Sequence, residues 1–155
     1  MTTEQREATF KRTSEAPDWL GDKLESHLDE DDEVRMGFVS DMTLEGEYEP
    51  EALVVTDRRV LALGRAHSEP VRELPLEEVC LVKIKNHVGN GFLVLVTWEE
   101  NVEMLRYSAS LVSQMEEFKE DFVQFVMQRL SWEDPEEHEE KLDHQEEETT
   151  VWEVS

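Results

Sequence analysis

The residues able to do chemistry in this chain are few and scattered. Its five histidines are His27, His67, His87, His138 and His144, and none stands four residues from another. A zinc protease needs that spacing, within His-Glu-x-x-His, to put two imidazoles on one helical face. No Gly-x-Ser-x-Gly occurs, so a strained strand-to-helix turn presenting a serine nucleophile is not expected. Cys80 is the single cysteine. It excludes an intrachain disulfide and a cysteine metal cluster, and its apolar flanks Val79, Leu81 and Val82 predict a buried, inert thiol. Carboxylates abound, but in runs. A run is a solvated face, not an acid–base pair with separated pKa values. The group Glu136, Glu137, His138, Glu139, Glu140, Asp143 and His144 lacks the glycine-bearing spacing of a calcium loop. The expectation is a chain with no catalytic residues, no metal site and no cofactor, and so not an enzyme.

Charge narrows the partners. The formal net charge is −24. From Ala52 to Tyr107 seven basic residues face eight acidic ones, so that stretch is nearly neutral. The excess lies outside it. Asp29 to Glu51 holds ten acids against Arg35, and Ser131 to Ser155 holds eleven against Lys141. A nucleic-acid binder neutralises phosphates with clustered Lys and Arg, so nucleic acid is not an expected partner. Anionic membranes are disfavoured for the same reason. A high-salt cytoplasm and a basic partner would each favour such acidity. Within the neutral stretch, Arg58, Arg59, Lys83, Lys85 and Arg106 supply a local basic contrast that a partner protein can read.

The elements that must position these residues follow from periodicity. Residues 1–16 are polar and aperiodic and read as a flexible arm. Thr3 to Arg12 lack the apolar core of a signal peptide, and Phe92 to Val96 is too short to span a bilayer, so a cytoplasmic location is expected. Pro17 opens a helix over 17–29, with Trp19, Leu20, Leu24 and Leu28 at three- and four-residue spacing. The acidic run Asp29 to Glu33 ends it, because negative charge is unfavourable at a helix C-terminus.

Strand signals follow within 34–107. They are Val34–Ser40, Ala52–Val55, Val60–Leu63, Val71–Leu74, Val79–Lys85, Phe92–Trp98 and Val102–Tyr107. The two runs about Thr56-Asp57-Arg58-Arg59 predict a hairpin with a polar turn. There Thr56 and Asp57 are placed to bond the turn backbone, and Arg58 or Arg59 to reach a carboxylate on a neighbouring strand. The period then changes. Leu111, Met115, Phe118, Phe122, Val126 and Leu130 predict an amphipathic helix over 109–130, capped by Ser108, Ser110 or Ser113 with Glu116. Residues 131–155 form an acidic tail. It closes with Val151-Trp152-Glu153-Val154, a tethered linear motif or a strand able to add to a sheet edge, with Val151, Trp152 and Val154 as its contact residues.

The expected fold class is α+β: a seven-stranded antiparallel barrel or sandwich, with an N-terminal helix, capped by one long C-terminal amphipathic helix. That order resembles the pleckstrin-homology-like (PH-like) domain. Leu53-Val54-Val55-Thr56-Asp57-Arg58-Arg59-Val60-Leu61 looks like the hairpin of bacterial PH-like and GRAM-like domains. Pro75-Leu76-Glu77-Glu78-Val79 is similar to their acidic lead into a strand. Four pieces in order resemble the cytosolic N-terminal domain found ahead of some bacterial ABC exporter subunits. They are Asp41 with Glu45-Gly46-Glu47-Tyr48, Val55 to Arg59, Val88-Gly89-Asn90-Gly91-Phe92-Leu93, and Arg106-Tyr107-Ser108-Ala109-Ser110-Leu111. No Gly-x-x-x-x-Gly-Lys is present, so this chain carries no nucleotide-binding motif of a transporter.

The resemblance implies a fold and a binding role, and it carries no ligand. The functional expectation is a protein-interaction adaptor or regulatory subunit whose partner is another protein. Two alternatives belong to other classes. One is an acidic mimic of nucleic acid that blocks a DNA-binding protein; the other is a lipid-binding PH-like domain. Unpaired strand edges would also let two copies join as a homo-oligomer.

Overall fold

The computed structural model describes residues 8–131. Eight antiparallel strands form two sheets, with one helix on each side of the larger sheet. The strands are β1 (Thr9–Phe10), β2 (Val34–Ser40), β3 (Glu51–Thr56), β4 (Arg59–Gly64), β5 (Arg72–Pro75), β6 (Leu81–His87), β7 (Asn90–Val96) and β8 (Asn101–Ser108). The helices are α1 (Asp18–His27) and α2 (Val112–Ser131). Strands β1 to β5 pair in sequence order, as do β6 to β8. The sheets do not close on one another, so the architecture is α+β with a C-terminal helix rather than a closed seven-stranded barrel.

Side-chain alternation makes two cores from one sheet. In β3, Leu53 and Val55 point one way and Ala52 and Val54 the other. Strand β4 does the same, with Val60 and Ala62 opposed to Leu61 and Leu63. Both faces are covered, which is why these two strands read as continuous apolar runs. The first core lies between the sheets and under α2. There Met36, Phe38, Leu93, Leu95, Leu105 and Tyr107 meet Met115, Phe118, Phe122 and Val126. The phenylalanines contact edge to face: the Phe118 ring centroid is 5.5 Å from Phe38 and 5.8 Å from Phe122. Each fully buried side chain of this size stabilises the fold by about 2 kcal/mol. The second core is the α1 side, where Leu20 and Leu24 pack on the outer face of β3 and β4.

Part of the expected arm belongs to this second core. Residues 8–16 contribute β1 and a short turn, and the Phe10 ring is buried over Gly37 of β2. A Cβ at Gly37 would sit 2.1 Å from that ring, so only glycine fits. Cys80 departs from expectation as well. It is half-buried rather than enclosed, with Sγ 3.7 Å from the Glu78 carbonyl oxygen. The serines before α2 do not cap it as expected. A 3₁₀ turn over Ala109–Leu111 leads into α2, and the Ser108 hydroxyl is used elsewhere. The acidic tail over 131–155, with Val151, Trp152 and Val154, lies outside the described residues apart from Ser131.

Candidate functional site

The basic residues singled out in the sequence do not form one patch. Arg58 and Arg59 sit at the β3–β4 hairpin. Lys83, Lys85 and Arg106 are paired across β6, β7 and β8 with Val94, Phe92 and Phe92 respectively, on the face turned away from the core.

At the hairpin, Thr56 Oγ1 accepts hydrogen bonds from the backbone N–H of Arg58 (3.1 Å) and Arg59 (3.0 Å). This leaves only Asp57 and Arg58 between the strands. Asp57 accepts from the Glu33 backbone N–H instead. Arg59 is the arginine that reaches across strands. Its guanidinium donates to Asp32 (2.9 Å), to Glu73 on β5 (2.8 Å) and to the His27 carbonyl (2.6 Å). Asp32, only 1% exposed, also accepts from the Asp29 backbone N–H at 3.0 Å. Burial alone would raise its pKa. The Asp29 bond and Arg59 outweigh burial and hold the carboxyl below its ordinary value. Arg59 is correspondingly held above its own. A cleft of about 530 Å³ opens beside this network, with Arg58 and Arg129 on its rim. Arg129 donates to the Asp57 carbonyl and the Leu76 backbone N–H to the Arg58 carbonyl, so the end of α2 and the approach to β6 share this pole.

The opposite pole gathers three of the four resemblance pieces. Asp41 accepts from the Ser108 backbone N–H (3.1 Å) and hydroxyl (2.5 Å). Arg106 donates to Asn90 Oδ1 and to the Leu44 carbonyl, and lies 5.0 Å from the centroid of the Phe92 ring. Gly46, at φ +94°, passes so close that a Cβ would stand 2.7 Å from the Arg106 guanidinium. Tyr107 donates to Asn86, and burial, helped by Glu116, raises its pKa. Asp41, Asn90, Arg106 and Ser108 therefore have internal partners: they fasten the loop between β2 and β3 to the three-stranded sheet.

The two edges of the three-stranded sheet differ. The β8 side is tied to the five-stranded sheet. The Ser40 hydroxyl bonds the Arg106 carbonyl, Arg72 Nε bonds the Met104 carbonyl at 3.2 Å, and Arg72 pairs with Glu51, a carboxylate 3% exposed. Burial raises the Glu51 pKa, and Arg72 offsets this only in part. The β6 edge has no strand partner among the described residues. Its neighbour is α2. Gln114 of α2 accepts from the Ala8 backbone N–H, which turns that flank toward β1. At 100° per residue, Val112, Lys119, Val123 and Met127 lie on the other flank, toward β6. All four are half-exposed. Ile84 of β6 is half-buried between. The result is a groove with a free strand edge as one wall and an apolar helix flank as the other.

On the outer face of β6, Lys83 is 5% exposed and Lys85 pairs with Glu103 at 3.4 Å. Sequence reasoning named both lysines but not Val112, Val123 and Met127 as one wall with Ile84. That wall was readable in part, because these α2 residues break the main apolar stripe. Among the described residues, no group of three or more His, Cys, Asp or Glu is placed to hold a metal ion, and no helix is long and apolar enough to cross a membrane. A scan of the sequence against protein-family models finds no match, and a search of curated proteins finds none similar enough to match.

Proposed function

We propose that this chain is a non-enzymatic protein-interaction module on a PH-like scaffold. It takes an extended segment of a partner protein along the free edge of β6, beside α2. One observation carries this reading. Of the two edges of the three-stranded sheet, one is tied down by side chains and the other faces an apolar helix flank with its backbone unpaired. An added strand gains main-chain hydrogen bonds from such an edge, and alternate side chains gain a pocket. The favoured segment places apolar residues toward Val112, Val123 and Met127 and acidic residues toward Lys83 and Lys85. Lipid headgroups fit less well. Arg59, Lys85 and Arg106 already serve Asp32, Glu73, Glu103, Asn90 and the Leu44 carbonyl, so the basic charge is largely spent within the fold.

The test is selection of extended peptides from a random display library, using full-length chain in which Trp152→Ala and Val154→Ala remove the tail's own apolar residues. The expected yield is peptides of alternating apolar and acidic character, with binding reduced at least tenfold by adding Val123→Arg. That position is half-exposed, so the arginine blocks the groove with little effect on the core. Peptides that bind equally well to the Val123→Arg chain would place recognition elsewhere and overturn the reading.

A further inference from the structure

The β6 groove has a candidate occupant within the same chain, and we infer that Val151-Trp152-Glu153-Val154 adds to the β6 edge in cis and competes with the partner. This rests on the groove reading above and concerns its regulation. Three observations support it.

The first is pattern. In an added strand, Trp152 and Val154 fall on one face and Val151 and Glu153 on the other. The groove is two-faced in the same way. Its α2 side is apolar, with Val112, Val123 and Met127, and its outer side carries Lys83 and Lys85. One register puts the indole on the helix flank and Glu153 beside a lysine. A register shifted by one residue would reverse both, so the match selects itself.

The second is reach. Nineteen residues separate Ser131 from Val151. A flexible chain of that length spans about 25 Å on average. Strand β6 has seven residues and is about 23 Å long. The chain leaves α2 at the pole where Arg129 bonds the Asp57 carbonyl and Leu76 bonds the Arg58 carbonyl on its way into β6. The tail therefore starts at one end of the edge it would cover, and its mean span matches the length of that edge.

The third is composition of the spacer. The nineteen residues hold ten acids and one lysine. Such a segment gains nothing from packing on an acidic domain and stays solvated. The apolar residues that end it are the part of the tail with a hydrophobic reason to dock.

A tether of this kind gives an effective concentration on the order of 1 mM. A four-residue strand of intrinsic Kd about 0.1 mM would then hold the groove closed roughly ten to one. A partner must displace it, and any partner or modification that captures the tail opens the groove.

The experiment compares full-length chain with the Trp152→Ala/Val154→Ala chain by amide hydrogen exchange over Leu81–His87 and by affinity for a peptide selected as above. Loss of the two apolar residues is expected to speed β6 exchange about tenfold and to tighten peptide binding about tenfold. Equal exchange and equal affinity in the two chains would overturn tail docking while leaving the groove reading intact. Faster exchange in the variant, with no peptide ever selected, would support the docked tail and sink the groove as a partner site. Protection of β6 that grows with protein concentration would mean the tail docks on a second copy, and would overturn docking in cis.

Discussion

Two buried carboxylates, Asp32 and Glu51, each meet one arginine, yet they titrate in opposite directions. Both side chains are nearly sealed from solvent. Asp32 sits at the hairpin pole and is held below its ordinary pKa; Glu51 sits at the junction of the sheets and is raised above its own. The difference lies in the donors. Asp32 has the Asp29 backbone N–H, the Thr56 hydroxyl and the Arg59 guanidinium, with Arg58 nearby. Glu51 has Arg72, while Glu45 close by works against it. An arginine alone does not keep a buried acid ionised; the number of hydrogen bonds aimed at the charge decides.

The comparison breaks most visibly when each arginine is removed. Arg59→Ala strands an acid that cannot easily protonate and also frees Glu73 and the His27 carbonyl. A loss of about 3 kcal/mol is expected in urea unfolding. Arg72→Ala is expected to cost less, about 2 kcal/mol, because Glu51 without its partner takes up a proton and sheds its charge. Equal losses would mean that the two sites do not differ in the way argued.

Acid titration sharpens the same contrast by sign. The stability that Asp32 contributes is present above its ordinary pKa of 3.8 and is lost as pH falls through its depressed folded value. The advantage of wild type over Asp32→Asn should therefore shrink as pH falls below about 4. Glu51 runs the other way. Its folded pKa lies above the ordinary 4.5, so stability declines as pH rises from 4.5 through the raised value. Glu51→Gln should gain on wild type over that rise. Thermal melts of both variants against pH measure this, and parallel curves would refute the assignment.

The smallest effect belongs to Thr56. Thr56→Val keeps the shape and removes the acceptor for the two turn N–H groups. About 1 kcal/mol of destabilisation is expected, measured by the urea midpoint.

Much of this arrangement was readable from residue order. The three- and four-residue steps from Met115 to Val126 gave α2, and the runs on either side of Asp57-Arg58 gave β3 and β4. Asp32 was not readable. It lies in the run Asp29 to Glu33, where four neighbours of the same chemistry stay in solvent or line the surface, and only tertiary placement beside Arg59 sets it apart. Lys83 was hidden for the reverse reason: a lysine next to Val82 and Ile84 reads as the wet side of a strand, yet the chain covers it. Phe10 stands alone in a polar stretch, and its burial depends on an empty face at Gly37, far along the sequence.

Strands β3 and β4 lie between the α1 side and the α2 side and contribute side chains to both cores. Neither core keeps a wall if the other dissolves. The molecule should therefore have no half-melted state in which one helix is lost and the other stays packed, and damage at the surface of α1 should be felt under α2 as lost cooperativity of the whole transition.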